Sequence, residues 1–550
     1  MKKLLFILMA VVCSCPLMAI NVWDGTSESW THGSGTENDP YLIETAAHLA
    51  YLAEQVNEGY QALGHSVFAH TYFLMTDDFD LNNLPWTPIG NADMNFNGFY
   101  FAGVFDGWYH NIDHLRITSN ADASALFAAL GGDGNVPGSG DCGTIKHLSV
   151  TNGDITATGT GAAGIVAGMA DEALVYQCSY SGNITVNNNG SYCGAGGIVG
   201  AAMEKSRIVE CSFAGSIHVT NNGGFMSAAG AGGIVGVAMD DVCIQSCYNT
   251  GSLTASSMLV NVAAGIVAAT LEQNNVVVYH CYNVGSLSAM TKGGIFGMVS
   301  PINPKAEQSI EVTGCYYLNT CGGNNNYGTS LTADQMRTEG FKDELDGQAH
   351  AFVMDNGTNN GYPIHSLAGF RLWEPSDITY QSATLSANIH EGNDSIVRAY
   401  FLYAEWDYSG QNDLIEVEVE VADTVSVMLR DLNPATDYVF YFVVQFADSV
   451  MMESPQLHFI TTEYDAVSSA VSPELQVYPN PATDMVHIQG VDAAEVRLYN
   501  ATGQWVKTFH DSNVIGVSGF APGRYLLRVV DRSGAVAVLP VILTDTPILR

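Results

Sequence analysis

A repeat held in phase over five copies limits this chain more than any other feature. Gly164-Ile165-Val166 recurs as Gly197-Ile198-Val199, Gly233-Ile234-Val235 and Gly265-Ile266-Val267, and Gly294-Ile295-Phe296 continues the series, at steps of 33, 36, 32 and 29 residues. A second series, Cys178, Cys211, Cys247, Cys281 and Cys315, keeps phase with it. An aliphatic residue stands three before each cysteine: Val175, Ile208, Ile244, Val278 and Val312. Ile184, Ile217, Leu253 and Leu287 stand six after the first four, each two beyond a glycine (Gly182, Gly215, Gly251, Gly285). Periods of this length belong to stacked-coil architectures. Each unit holds three short apolar or alternating runs, such as 197–199, 208–213 and 217–219, separated by Gly, Asn and Ser. Three strands per coil, with like positions about 4.8 Å apart, predict an all-β fold, a right-handed parallel β-helix. One spacing conflicts with flat strands. The aliphatic residue and the cysteine, three apart, would face opposite ways. Either a bend or bulge lies between them, or one of the two ladders faces outward.

The array continues upstream in degenerate form through 126–127 and 145–155, and helices are expected at both ends. Thr45 can cap a helix with Leu49, Leu52, Ala53 and Val56 on one face, covering the open edge of the first coil. Residues 332–345 read as a second helical cap.

The start of the chain reads as an export signal. Lys2 and Lys3 precede an apolar run at 4–12 that is too short to span a bilayer, so 1–19 is a signal peptide ending at Ala19. Val12-Cys13-Ser14-Cys15 also permits a lipoprotein cleaved before Cys15. No later stretch is apolar and long enough for a membrane span. The formal net charge of −37 excludes nucleic acid as a partner and draws cations rather than anions. With 47% hydrophobic and 14% charged residues, the chain has enough apolar content to fold.

Three resemblances follow from local motifs. Cys247-Tyr248-Asn249-Thr250-Gly251-Ser252 and Cys281-Tyr282-Asn283-Val284-Gly285-Ser286 resemble the GLUG-motif repeats of bacterial surface proteins. So do Trp86-Thr87-Pro88-Ile89-Gly90, Phe105-Asp106-Gly107 and the exit segment Asn360-Gly361-Tyr362-Pro363-Ile364. That likeness covers roughly 21–368 and implies a secreted β-helix (20–368 with its caps) without a settled activity. Residues 371–462 resemble a fibronectin type III domain through Leu432-Asn433-Pro434-Ala435-Thr436-Asp437-Tyr438, whose tyrosine would lock a sandwich corner, with Trp373 in the core. After a linker at 463–474, residues 475–550 resemble the C-terminal sorting domain of type IX secretion substrates. The matching residues are Tyr478-Pro479-Asn480-Pro481, Gly503, and Pro522-Gly523 with Tyr525. The expectation is therefore a β-helix followed by two immunoglobulin-like sandwiches. The chain would meet the type IX machinery and be attached to the outer-membrane surface without a transmembrane segment.

No motif carries chemistry outright. Asp171, Glu204, Asp240 and Glu272 fall in aligned turns and should stack along one corner, either as a row for calcium or sugar or as ordinary solvated turns. Asp77, Asp78 and Asp80 read as strand-end turns. The histidines, among them His48, His110, His114, His147, His218 and His280, form no catalytic set. The five phased cysteines read as a buried apolar ladder. Cys315 with Cys321, or Cys142 with Cys193, have the choice of forming disulfides in an oxidising compartment. The sequence thus points to a surface-displayed, non-catalytic adhesin presenting a β-helix face to glycan or host protein, with no cofactor unless calcium. A polysaccharide lyase or glycoside hydrolase using face carboxylates, and a structural surface-layer component, are the alternatives.

Overall fold

The computed structural model describes residues 21–544 apart from 64–67, 93–97, 132–142, 170–171, 226, 271–274, 300–309, 324, 348–349, 407–412, 464–474, 501–504 and 533–535. The expected signal peptide lies outside the described residues. The fold is all-β with a parallel β-solenoid of about seven turns. Among the described residues the solenoid has four parallel sheets, of six, six, nine and thirteen strands.

One coil shows the plan. Tyr192–Gly196, Val199–Ala202, Arg207–Val209 and Ser212–Asn221 each join a different sheet. The coil therefore has four strands rather than the expected three, because two of the apolar runs in the sequence straddle corners. The run 197–199 crosses the corner between the first two strands, and 208–213 crosses the corner between the last two.

Sterics demand the glycine that opens each Gly-Ile-Val step. A Cβ on Gly197 would sit 2.4 Å from Phe213 Cγ and 2.1 Å from the Gly233 carbonyl oxygen. Gly164 meets Tyr180, Gly233 meets Asn249, Gly265 meets Asn283 and Gly294 meets Tyr317 in the same way. These partners form one inward column, in register from coil to coil.

The second corner resolves the spacing conflict. The residue before each cysteine position adopts a left-handed conformation: Gln177 (φ 49°), Glu210 (51°), Ser246 (51°), His280 (56°) and Gly314 (60°). That one residue turns the chain, so Val175 and Cys178 both point inward and are buried. The next coil satisfies the corner N–H at Gln177 (to Val209 O, 3.0 Å), Glu210 (to Gln245 O, 2.9 Å), Ser246 (to Tyr279 O, 3.1 Å) and His280 (to Thr313 O, 3.1 Å). The cysteines stack behind it as free thiols, and the backbone N–H of Cys247 approaches Cys281 Sγ at 3.3 Å. Burial pushes the thiols of Cys178, Cys211, Cys247 and Cys281 up, away from the reactive thiolate. Cys315 and Cys321 are separate free thiols, so that disulfide does not form; Cys142, the other possible partner of Cys193, lies outside the described residues.

Helix α1 (Ala46–Leu63) behaves as expected. Thr45 Oγ1 accepts the His48 N–H at 3.1 Å, and Leu49, Leu52, Ala53 and Val56 enter the solenoid core. The far segment differs. It forms two short helices, α2 (Ala333–Met336) and α3 (Glu339–Asp346), capped by Thr332 and Thr338. Met336, Phe341 and Leu345 pack beside Tyr282 and Tyr316, which stand in an outward tyrosine column. They cover a flank of the last coils, while Tyr317 and Cys321 close the core itself.

Beyond the solenoid, antiparallel sheets of three and five strands share a core that includes Phe401, Phe440 and Phe442. The Tyr438 hydroxyl accepts the Asn433 N–H at 2.8 Å, pinning the expected corner. Trp373 is not in this core. It is half-buried, donates its indole N–H to Asn388 and lies under the Arg371 guanidinium, because the strand it ends faces the solenoid junction. Residues 475–543 enclose a third core between sheets of three and four strands.

The chain leaves the solenoid past His365, which is buried between the Tyr248 and Phe352 rings and donates Nε2–H to the Ser246 carbonyl at 2.8 Å. Burial pushes this imidazole from 6.5 down to about 4.

Two outcomes follow. Gly197→Ala should lower stability by about 1–3 kcal/mol or more. Gly340→Ala, with nothing within 4 Å of the added methyl, should raise it by roughly 0.5–1 kcal/mol. Denaturant midpoints of both variants check the opposite signs. For His365 the unfolded chain takes up a proton at a higher pH than the folded one. Stability should therefore fall as pH drops from 6.5 towards 4 and level off below that. The loss is on the order of 3 kcal/mol. His365→Gln should flatten that window when midpoints at neutral and acid pH are compared.

Candidate functional site

The acidic row is only partly assembled. Asp171 and Glu272 lie outside the described residues. Glu204 and Asp240 occupy equivalent left-handed positions (φ 53° and 58°) on one corner. The turns stack through Glu172 N–H to Glu204 O and Lys205 N–H to Asp240 O, both 2.8 Å. The neighbouring row was missed from sequence. It runs Glu172, Lys205, Asp241, Asn275, with Lys205 Nζ 2.9 Å from Glu172 and Asn275 Nδ2 3.0 Å from Asp241. Acid, base, acid and amide alternate, so a cation is built into the corner as a lysine. The hydrogen bond and charge of Glu172 raise the Lys205 ammonium pKa.

A cleft of about 580 Å³ lies where the early coils meet the five-plus-three-stranded unit. One carboxylate organises it. Asp106, 3% exposed, accepts the Trp108 N–H at 3.0 Å and His147 Nδ1–H at 2.8 Å. Lys146 Nζ lies 3.3 Å away and Arg371 Nη1 3.7 Å. Burial alone would raise the Asp106 carboxyl. The His147 hydrogen bond, with the charges around it, more than offsets that and holds Asp106 well below the usual carboxylate range. Burial outweighs Asp106 at His147 and pushes the imidazole down, so it is neutral near pH 7. Asp106 also fixes a turn in which Trp108 (φ 44°) and Tyr109 (φ 64°) are both left-handed, a strained arrangement for aromatic residues. Trp108 stands half-buried on the cleft wall. The Tyr109 ring is sandwiched between His147 (4.6 Å) and His390 (3.9 Å), which ties the two units together. Asn38 Nδ2 to Glu374 adds a bond across the junction at 2.7 Å.

The histidines that formed no motif in sequence form pairs across coils. His110 Nδ1 lies 3.0 Å from Asp78, and His114 Nδ1 lies 3.0 Å from Asp80 and 3.2 Å from Asp113. Asp78 and Asp80 lie about one coil before their histidines, so the repeat spacing offers these pairs without choosing them.

The described part of the tail motif lies at the ends of this last unit's strands. Tyr478 is exposed and stacks on His487 at 5.4 Å. Asn480, set between Pro479 and Pro481, accepts the Ile542 N–H at 2.8 Å and donates to Pro540 O at 3.0 Å, fastening the unit's first strand to its last. Tyr525 is buried and donates to Ala521 O at 2.9 Å, one residue ahead of the Pro522-Gly523 step. Gly503 lies outside the described residues.

The class defined so far is a β-solenoid carried in front of two antiparallel β units. Residues 476–542 match the family model of the secretion system C-terminal sorting domain. The protein is thus exported through the type IX system to the cell surface or the medium, and no helix among the described residues is long and apolar enough to cross a membrane. Two curated proteins are similar over part of their length. A putative Gly-rich membrane protein of Evansella cellulosilytica is 28% identical over 171 residues, 29% of this chain and 17% of that one. Beta-agarase D of Zobellia galactanivorans is 25% identical over 178 residues, 30% of this chain and 37% of that one. The chain thus spans well under half of either relative. Among solved structures, an IgA1 protease aligns with 54% of this chain and 22% of its own at TM-score 0.36 and 14% identity. A two-domain fibronectin type III segment of chicken tenascin aligns with 32% of this chain and 97% of its own at TM-score 0.17 and 19% identity.

Lys205→Ala should change stability by less than about 0.5 kcal/mol, since exposed ion pairs contribute little. Calcium should leave the thermal midpoint of that variant where it leaves the wild type. A calcium-dependent rise would show that the acidic corner holds a metal ion.

Proposed function

We propose that this is a surface-displayed, non-catalytic polysaccharide-binding protein whose solenoid and following sandwich grip the sugar chain in the cleft at Trp108. The observation that carries this reading is the Asp106-fixed turn. The turn fixes the backbone that carries a half-buried indole on a wall that also bears Lys146, Arg371 and Glu37. An indole face suits the apolar face of a sugar ring, and charged groups fixed in advance suit its hydroxyls. The partial likeness to an agarase favours polysaccharide over host protein as the ligand class. The organising carboxylate is engaged by four cationic or hydrogen-bonding partners, which suits positioning better than acid–base catalysis.

In this reading 20–368 is a GLUG-like solenoid, 371–462 an immunoglobulin-like spacer of fibronectin type III kind, 463–474 a linker and 475–550 the sorting domain. Agar and other plant, host and microbial polysaccharides, offered to the purified exported chain with and without calcium, test it. Retention on one class, weakened at least about tenfold by Trp108→Ala as expected for a central aromatic anchor, supports the proposal. New reducing or unsaturated ends would make the protein a hydrolase or lyase. Self-association without ligand would make it a surface-layer component.

A further inference from the structure

We propose that Asp80, Asp113 and His114 form a binding site for one divalent cation of borderline softness, Zn²⁺ fitting best, that staples two consecutive coils near the start of the solenoid. Asp80 and Asp113 are register partners on adjacent strands. His114 follows Asp113 in a left-handed conformation (φ 54°), which turns its ring back towards the preceding coil. Ligand atoms of the three side chains lie within 4.8 Å of one another. His114 Nδ1 is 3.0 Å from Asp80 Oδ1 and 3.2 Å from Asp113 Oδ2. A single ring N–H cannot point at both carboxylates with good geometry. A cation among the three atoms satisfies all of them.

The carboxylates are held in place from outside the cluster. Asp113 Oδ1 accepts Thr151 Oγ1–H and Asn152 Nδ2–H, each at 2.8 Å, from the next coil. Asp80 Oδ1 accepts the Asn82 N–H at 2.7 Å. Outer hydrogen bonds of this kind orient metal ligands. Asn111 Nδ2 in turn donates at 2.8 Å to Thr151 Oγ1, the hydroxyl that holds Asp113.

The donor set selects the ion. Calcium takes six to eight oxygens, whereas one imidazole and two carboxylates suit Zn²⁺. The side chains of His114 (37% exposed), Asp80 (20%) and Asp113 (20%) leave a side open for water, the fourth ligand of a tetrahedral site.

The test is calorimetric titration of the full exported chain, stripped with chelator, with Zn²⁺ alone and Ca²⁺ alone, together with thermal midpoints. The expected result is one equivalent of Zn²⁺, a raised midpoint, and no competition from calcium. His114→Asn keeps a residue that tolerates the left-handed backbone while removing the imidazole. It should weaken binding at least about tenfold and abolish the midpoint shift, and Thr151→Val should weaken binding by about 10–100-fold through loss of orientation. No Zn²⁺ binding, equal binding by folded His114→Asn protein, or equal competition from calcium would each overturn the site.

Discussion

Everything in the solenoid depends on one left-handed residue placed just before each core cysteine. A non-glycine residue there costs on the order of 1–3 kcal/mol. It lets the aliphatic residue two positions earlier and the cysteine one position later enter the same core, and a buried aliphatic side chain contributes roughly 1.5–3 kcal/mol. The corner N–H is not left bare, because the next coil supplies its acceptor. Stacking therefore stabilises a conformation that a single coil would not hold, and the array is cooperative by construction.

The opposite corner is built by subtraction. Where the chain kinks between Gly164-type glycines and the following Ile-Val, the inward column Tyr180, Phe213, Asn249, Asn283, Tyr317 occupies the space a Cβ would need. The two asparagines in that column are fully buried yet satisfied. Asn249 Oδ1 accepts the Gly251 N–H at 2.8 Å, and its Nδ2 donates to Asn283 Oδ1 at 2.7 Å. The Asn-x-Gly spacing inside the repeats is thus a side chain closing on the backbone two residues ahead, repeated one coil later at Asn283 and Gly285. A buried amide met this way costs little, and its directionality specifies register.

The candidate sites arise where coil neighbours bring together residues that the sequence keeps about one repeat apart. Asp106 meets His147 and Lys146 one coil on and Arg371 from beyond the solenoid. Asp80 meets His114 in the same manner. The acidic corner shows the limit of reading a column by residue type. Aligning acids on the cysteines placed Glu204 and Asp240 correctly in one row, but the adjacent row holds Lys205 between Glu172 and Asp241. The charge of the corner comes from both rows.

The sequence alone determined the class of architecture, because a period near 33 with phased glycines, aliphatics and cysteines has few solutions other than a solenoid. It also determined the burial of the cysteine ladder, the capped first helix, the Tyr438 corner and the sorting tail, each of which rests on local spacing. Only the tertiary structure decided that a coil has four strands. A left-handed corner leaves no mark in hydrophobicity when Gln177, Glu210, Ser246 and His280 can all occupy it. Likewise only the tertiary structure decided which histidines meet which carboxylates, and that Trp373 and the 332–345 helices serve junction and flank rather than core and cap. Those outcomes depend on which coil or unit lies alongside, and a one-dimensional pattern does not carry that distance.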